Sequence, residues 1–337
     1  LHAAFLSGQH PLTYWNKDPL VNPLKTQEVV RYKHYTNGLD KKLLISSPTI
    51  TGIAHQHGIN LNGNYINEDI VRYQSAICNL QEMGVLCKMK DNEHSVICEV
   101  GSGFGGLCYH LSNIISTSTY ICVDLPETLF VAGAYLLVNN PSAKIYIYNE
   151  KDFKTDFILK NYKKFDFMLI PDYALSKISG INIDLFINMY SFQEMPEKII
   201  ENYVRFAYEN CDGYLYSDNW SKHPYNKKIK SSVERILDKY FHLFPHPSIY
   251  DDTKFDDLYS RLGFQSLKCF VGKSKKIESA NRWEGHIRIL YGECRIYSNS
   301  QNKNSLHPII VFNKPKWKRT TQYLLKKIVG FLRRIFQ

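Results

Sequence analysis

Short apolar runs alternate with segments of helical spacing through the middle of the chain. The run Val96–Val100 predicts a buried strand that ends in the glycine-rich turn "GSGFGG". A helical stripe follows the turn, formed by Leu107, Leu111, Ile114 and Ile115. A second apolar run, "STYICVDLP", then ends at Asp124. The pattern therefore predicts a strand–turn–helix–strand unit with a carboxylate at the end of its second strand.

The same alternation continues downstream and predicts the fold class. Strands are predicted near "KFDFMLIPDY", "NIDLFINMY", "GYLYSDNW", "SLKCFVG" and "HIRILYGE", with a helix after Pro196. Strands that alternate with helices predict an α/β fold with a doubly wound, mostly parallel sheet, whose ligands bind beyond the carboxyl ends of the strands. The residues predicted at those ends include Asp124, Asp172, Glu194 and Asn219. A further strand in "KIYIYN" has no predicted place in the sheet.

Three regions are predicted along the chain. Residues 1–93 form a helical and lid region that shapes an acceptor pocket, residues 94–293 form the cofactor-binding sheet domain, and residues 294–337 form a basic amphipathic tail with a C-terminal helix. In the first region, "YINEDIVRYQSAICNL" predicts a helix with one apolar stripe, made by Ile66, Ile70, Tyr73, Ile77 and Leu80. A loop rich in glycine and asparagine precedes this helix.

Composition and charge limit the classes of function. The 337 residues are 44% hydrophobic, and the eight cysteines have neither a C-x-x-C pair nor metal-ligand spacing, which favours a reduced, cytoplasmic setting. The sequence predicts no secretory signal and no membrane-spanning segment. Ten of the 42 Lys and Arg residues lie in residues 294–337, which contain no acidic residue, and the remaining 32 balance the 32 Asp and Glu residues. A neutral body argues against a nucleic-acid groove.

The glycine turn is compatible with two cofactors. Gly101, Gly103 and Gly106 have the G-x-G-x-x-G spacing of a dinucleotide loop, and Asp124 follows Gly101 by 23 residues, where a carboxylate can bind ribose hydroxyls. NAD and S-adenosylmethionine both contain such a ribose. NAD also needs a helix N-terminus that faces its pyrophosphate, whereas S-adenosylmethionine has a sulfonium and an ammonium group. Glu99 beside the turn suits those cations, so the charges favour S-adenosylmethionine.

Four segments, "EVGSGFGGL", "VDLPETL", "LFINMYSFQEM" and "LYSDN", resemble a bacterial family of sugar O-methyltransferases over about residues 60–293. The resemblance implies an S-adenosylmethionine-dependent enzyme with a seven-stranded, Rossmann-like sheet and a sugar or glycan acceptor. It implies that Glu99, Gly101, Gly103, Gly105 and Asp124 bind the cofactor and that Asp172 reaches the adenine. The predicted cofactor set also includes Ser102, Phe104, Gly106, Leu125 and Asn188.

A sugar hydroxyl is a weak nucleophile, so a general base or a divalent metal is expected near the methyl group. Glu194 is the first candidate base, although a carboxylate in a first helical turn also stabilises its helix. His223 is a second candidate, as a base, a metal ligand or a solvated side chain. The sequence does not require a metal. Residues predicted to bind the acceptor are Arg72, Tyr73, Gln193, Asn219, His55 and His57.

Two other functions compete with methyl transfer, and the tail has two interpretations. An NAD-dependent oxidoreductase or epimerase on a nucleotide sugar would need a Y-x-x-x-K helix after the fourth core strand, which the sequence lacks there. A non-catalytic scaffold would not need the intact loop and Asp124. Residues 314–337 carry basic residues beside an apolar stripe, which is typical of a helix on an anionic membrane surface. The same stripe could pack on this domain or on a second subunit.

Overall fold

A computed structural model describes residues 23–48, 58–154, 156–220, 233–246 and 267–275. The strands are β1 (Ile59–Leu61), β2 (Asn64–Ile66), β3 (Ser95–Val100), β4 (Ser118–Asp124), β5 (Ile145–Ile147), β6 (Phe167–Pro171), β7 (Ile183–Met189), β8 (Cys211–Trp220), β9 (Phe241–His246) and β10 (Leu267–Ser274). The helices are α1 (Pro23–Thr36), α2 (Glu68–Glu82), α3 (Val85–Asp91), α4 (Gly106–Ile114), α5 (Pro126–Asn139), α6 (Phe157–Asn161), α7 (Glu197–Asn210) and α8 (Val233–Tyr240).

Eight of these strands form one mostly parallel sheet in the order β5-β6-β4-β3-β7-β8-β10-β9. All neighbours from β5 to β8 in this order pair in parallel, and β10 is antiparallel to both β8 and β9. The chain runs outward from β3 through β4 and then returns to place β7 on the other side of β3. The crevice between the carboxyl ends of β3 and β7 is therefore the topological switch point, where open α/β sheets bind their ligands.

Helices cover both faces of the sheet, as the doubly wound prediction requires. The side chains of α1 to α5 pack in one apolar core with alternate strand residues such as Ile97 and Ile187. The side chains of α6 to α8 pack on the opposite face with the intervening residues, such as Cys98 and Phe186. Because β3 is buried on both faces, its sequence is a nearly continuous apolar run. The predicted fold class is confirmed.

Several local predictions are refined by the structure. "KIYIYN" contributes β5, which extends the edge of the sheet beside β6, so the sheet has eight strands in the described residues rather than seven. The predicted loop before α2 contains the β1–β2 hairpin, whose turn residues Asn62 and Gly63 both have positive φ. Ile66 belongs to β2, and α2 begins only at Glu68, because the Asn67 side chain caps the helix by accepting from the Ile70 N–H.

Some predictions lie outside the described residues. These are the strand "HIRILYGE", His55, His57, His223 and the tail of residues 294–337. The three predicted regions of the chain therefore stay a prediction. In the described part of the chain, no helix is long and apolar enough to cross a membrane. The seven cysteines of this part are all free, and six of them are buried.

Candidate functional site

The glycine loop between β3 and α4 sits at the switch point in a backbone conformation that favours glycine. Gly101, Gly103 and Gly105 have φ values of +77°, +56° and +84°. A Cβ on Gly101 would lie 2.1 Å from the Ser191 Oγ, whereas a Cβ on Gly103 would meet no atom within 4 Å. The loop is therefore tight against the β7 side at Gly101 and open at Gly103.

The N–H groups of these three glycines all have acceptors within the protein. Gly101 donates to the Val123 carbonyl at 2.8 Å, and Gly105 donates to the Ser102 carbonyl at 3.0 Å. Gly103 donates to the Asp124 Oδ2 at 2.8 Å. A loop that binds a pyrophosphate directs N–H groups of this kind at the phosphate oxygens. In this loop, the Gly101 and Gly103 N–H groups already fix the loop on β4, and the Gly105 N–H is used within the loop.

Two carboxylates lie at the adjacent ends of β4 and β6. Asp124 accepts from the Leu125 N–H at 2.7 Å, in addition to the contact with Gly103. In the sheet Asp124 is paired with Pro171, so Asp172 is the next residue along the neighbouring strand. Burial raises the pKa of Asp124, its backbone hydrogen bonds oppose that shift, and the charge of Asp172 adds to it. Asp124 and Asp172, the residues predicted to contact the ribose and the adenine, are thus close enough to interact electrostatically.

Glu99 is buried behind the loop. Its side chain is only 4% exposed, and the Tyr120 hydroxyl donates to its Oε2 at 2.7 Å. Burial raises the pKa of Glu99 to about 8, with a smaller contribution from Asp124, while the hydrogen bond from Tyr120 opposes the shift. None of the cationic side chains in the described residues pairs with it. A cation that reached this carboxylate would therefore be strongly stabilised.

Helices α2 and α5 pack against the loop with aromatic side chains. The Tyr73 ring lies so close to Gly106, the first residue of α4, that a Cβ there would be 2.6 Å from it. Tyr73 thus fills space beside the helix N-terminus. Phe104, within the loop, contacts Tyr135 of α5 edge to face, with ring centroids 5.0 Å apart. Predicted acceptor residue Tyr73 and predicted cofactor residue Phe104 both lie at the loop.

Asn188 joins the loop to the β7 side from a fully buried position. Its Nδ2 donates to the Val100 carbonyl at 2.7 Å and to the Ser191 Oγ at 2.7 Å. Its Oδ1 accepts from Asn219 Nδ2 at 2.9 Å. Because both ends of the amide are engaged by protein groups, Asn188 acts on the site by holding the ends of β3, β7 and β8 together.

Sequence reasoning missed the most unusual residue of the site, Tyr190. It follows β7 with a φ of +56°, which is rare for a large side chain. Its hydroxyl donates to Asp218 Oδ2 at 3.2 Å, and its N–H donates to the Asp218 carbonyl at 2.8 Å. The Arg72 guanidinium lies over its ring, 4.9 Å from the centroid. Strand periodicity carries no signal for such a backbone conformation, so only the structure reveals it.

The remaining candidates differ in exposure. Glu194 is exposed at the end of the short 3₁₀ turn Phe192–Glu194, whereas Gln193 and Asn219 are buried. Two buried oxygens, Ser102 Oγ and Asn219 Oδ1, have no hydrogen-bond partner among the described residues. Such atoms are expected to find a partner in a bound molecule or water. No cluster of three or more His, Cys, Asp or Glu within the described ranges could hold a metal ion.

Comparison with known proteins gives remote structural similarity alone. No family model and no curated protein matches the chain. Similar solved structures include a TehB-like SAM-dependent methyltransferase from Corynebacterium glutamicum, at 15% identity over 58% of this chain and 88% of that one, with a TM-score of 0.34. Methanococcus jannaschii fibrillarin, a pre-rRNA processing protein, is 14% identical over 64% and 81%, with a TM-score of 0.36. Human N-acetylserotonin methyltransferase in complex with SAM is 10% identical over 73% and 66%, with a TM-score of 0.34. Similarity at this level assigns no activity or substrate to the chain.

Proposed function

We propose that this chain is an S-adenosylmethionine-dependent O-methyltransferase that acts on a sugar hydroxyl. The observation that carries the proposal is a glycine loop in which the N–H groups of Gly101, Gly103 and Gly105 are used internally, together with a buried carboxylate, Glu99, behind that loop. A pyrophosphate at this loop would have few free N–H donors and would lie near the carboxylate of Glu99. A cofactor that has no phosphate and carries an ammonium group suits both features.

The residues present fit this cofactor. Asp124 would accept from the ribose hydroxyls and Asp172 from the adenine amine, since they end neighbouring strands. Glu99 would neutralise the ammonium group, and the Ser102 hydroxyl would gain the partner it lacks. When bound, S-adenosylmethionine supplies an electrophilic methyl group on a sulfonium sulfur. The protein contributes alignment of the acceptor with that methyl, which is worth roughly 7–11 kcal/mol in favourable cases.

The sugar acceptor is the finer part of the proposal and rests on the resemblance noted in the sequence. Gln193 lies in the 3₁₀ turn that follows β7, Asn219 lies near the end of β8, and neutral amides are well suited to sugar hydroxyls. Glu194 and His223 stay candidate bases. Incubation with S-adenosylmethionine and a panel of free and lipid-linked sugars, followed by mass spectrometry, tests whether any sugar gains a methyl group.

Calorimetry tests the cofactor directly. We expect the protein to bind S-adenosylmethionine and S-adenosylhomocysteine but not NAD. Asp124→Ala should weaken both by about 1.5–3 kcal/mol, since it removes charge-assisted hydrogen bonds. Asp91→Ala, at the exposed end of α3, is the matched control and should bind like the parent. Binding of NAD in preference to the other two would refute the proposal.

We also propose that residues 314–337 attach this enzyme reversibly to the cytoplasmic face of an anionic membrane. Eight basic residues lie in this segment, and each contributes about 1 kcal/mol near such a surface. The protein should sediment with anionic but not neutral vesicles, less so at high salt, and not after truncation at Asn313. A truncated protein that unfolds or changes its oligomeric state, without prior vesicle binding, would show a structural tail instead.

A further inference from the structure

The polar groups of the site form a row across the carboxyl ends of the neighbouring strands β6, β4, β3, β7 and β8. Pairing places Glu99 beside Ile187 and Met189 beside Asp218, so Gly101, Met189 and Asp218 lie at one level of the sheet. Asp124 lies on the other side of β3, at the end of β4. If the cofactor ribose binds Asp124 and the cofactor ammonium group binds Glu99, the ends of β7 and β8 stay available for the acceptor. Two strand spacings separate β3 from β8, about 10 Å.

We propose that Tyr190 is the catalytic residue that meets the acceptor hydroxyl beside the transferred methyl group, and that Asp218 is its positioning partner. This inference rests on the proposed function. It assigns the acceptor proton to a pair of residues, one directly after β7 and one on β8, rather than to the exposed Glu194. Tyr190 is partly exposed, whereas Asp218 is only 2% exposed, so the tyrosine is the member of the pair that a ligand can touch.

Three contacts hold Tyr190 in its strained conformation. Asp218 binds both its hydroxyl and its backbone N–H. The third contact is the Arg72 guanidinium over the ring, and Arg72 is itself held by the carboxylates of Glu68 and Asp69 on the same helix. A positive φ at a large residue costs about 1–3 kcal/mol and persists only where its surroundings enforce it, typically at functional sites. The contacts here fix the hydroxyl at the switch point.

The pair can take the proton that methylation of the acceptor oxygen releases. The acceptor O–H would donate to the Tyr190 oxygen, while the Tyr190 O–H already donates to Asp218 Oδ2. As the acceptor oxygen gains its bond to the methyl carbon, its proton passes to Tyr190 and the proton of Tyr190 passes to Asp218. Tyrosine is unchanged by this exchange, and Asp218 ends protonated. The Arg72 cation over the ring favours the negative charge that builds up on the tyrosine during the exchange.

Binding of sinefungin tests this assignment without knowledge of the acceptor. Sinefungin carries an amine-bearing carbon in place of the sulfonium and its methyl, whereas S-adenosylhomocysteine has a neutral thioether sulfur and no group in the place of the methyl. If Tyr190 and Asp218 face the methyl group, Tyr190→Phe and Asp218→Asn should each weaken sinefungin binding about tenfold or more, as expected for a lost hydrogen bond to a charged amine. Binding of S-adenosylhomocysteine should stay within about twofold of the parent.

Matched variants separate this effect from a general loss of structure. Asp212→Asn removes a carboxylate from the opposite end of the same strand, β8, and Tyr208→Phe removes a hydroxyl from α7; both should retain the parental ratio of the two affinities. Thermal unfolding reports whether each variant is folded. If Asp218→Asn fails to fold, Tyr190→Phe decides, because it keeps the ring and its contact with Arg72.

Three results would overturn the inference. An unchanged ratio in Tyr190→Phe and Asp218→Asn would show that the pair does not face the methyl group. An equal loss of both ligands would show that the pair supports the whole cofactor site instead. A changed ratio in Glu194→Gln alone would place Glu194 at the methyl. If the parent bound neither ligand, the proposed function itself would fail, which is a distinct result.

Discussion

The two sides of the switch point are built in different ways. On the β3–β4 side, the loop, Glu99 and Asp124 come from one continuous segment of 26 residues, and their contacts are mostly made within it. On the β7–β8 side, Arg72, Tyr190 and Asp218 come from three distant parts of the chain. The first side is a local motif that any similar sequence would reproduce, whereas the second exists only after the whole sheet has formed.

One of the contacts between the two sides gives the prediction with the largest expected effect. Gly101 packs against Ser191, and a Cβ at Gly101 would lie 2.4 Å from the Ser191 Cβ. Gly101→Ala should therefore lower the free energy of unfolding by about 2–5 kcal/mol, from overpacking and from a positive φ at a non-glycine residue. Urea unfolding measures the loss.

Gly103→Ala is the matched comparison in the same loop. Its φ is also positive, but its Cβ would enter open space, so we expect a smaller loss of stability, about 1 kcal/mol. Because that space belongs to the proposed cofactor site, Gly103→Ala should reduce the free energy of S-adenosylhomocysteine binding by more than it reduces the free energy of unfolding. Equal losses of stability in the two variants would contradict the tight junction at Gly101.

The contrast between the two sides also explains how much the sequence could predict. The carboxyl ends of β3, β4, β6 and β7 were predicted within one or two residues, because buried parallel strands are continuous apolar runs. Asp124 and Asp172 were placed at the carboxyl ends of strands for the same reason. The edge strand β5 was predicted without a partner, since periodicity gives no pairing. Strand β9 was not predicted, and its sequence, "FHLFPH", contains a proline that is uncommon inside strands.

The site on the β7–β8 side could not be predicted in the same way. Tyr190 has no sequence signal for a positive φ, and its contacts with Arg72 and Asp218 depend on tertiary packing. Asn188 was predicted to bind cofactor, and the structure places it fully buried, with its amide holding three strand ends. Burial of a polar residue at a strand end depends on what neighbouring strands contribute, which hydrophobic patterning does not encode.

A second prediction concerns the pH dependence of stability through Glu99. Its pKa rises from 4.5 to about 8 on folding, so between these values the folded state holds a proton that the unfolded state has lost. Stability should therefore fall as pH rises through this window, by up to about 1.4 kcal/mol per pH unit from this group. In Glu99→Gln this contribution disappears, and the difference in unfolding free energy between parent and variant should change with that slope.

Urea unfolding of both proteins from pH 5 to about pH 8 measures that slope. Glu93→Gln, an exposed residue just before β3, serves as the control and should follow the parent at every pH. If a cofactor ammonium binds Glu99, its arrival should also release protons at neutral pH, seen as a calorimetric heat that depends on the buffer. A flat difference between parent and Glu99→Gln would mean that the carboxyl ionises normally in the folded protein.

The smallest expected effect tests whether the two sides are energetically separate. Arg72→Lys keeps the charge but loses the planar fork that contacts Glu68, Asp69 and the Tyr190 ring together. Because the Arg72 side chain is 24% exposed, we expect a loss of unfolding free energy of only about 0.5–1 kcal/mol. Arg235→Lys, whose ion pair with Glu197 is on the surface, should lose less. Binding of S-adenosylhomocysteine to Arg72→Lys should match the parent, since its contacts would lie on the β3–β4 side. If that affinity fell as far as in Asp124→Ala, the helix that carries Arg72 would belong to the cofactor site, and the division of the switch point into a local side and an assembled side would not hold.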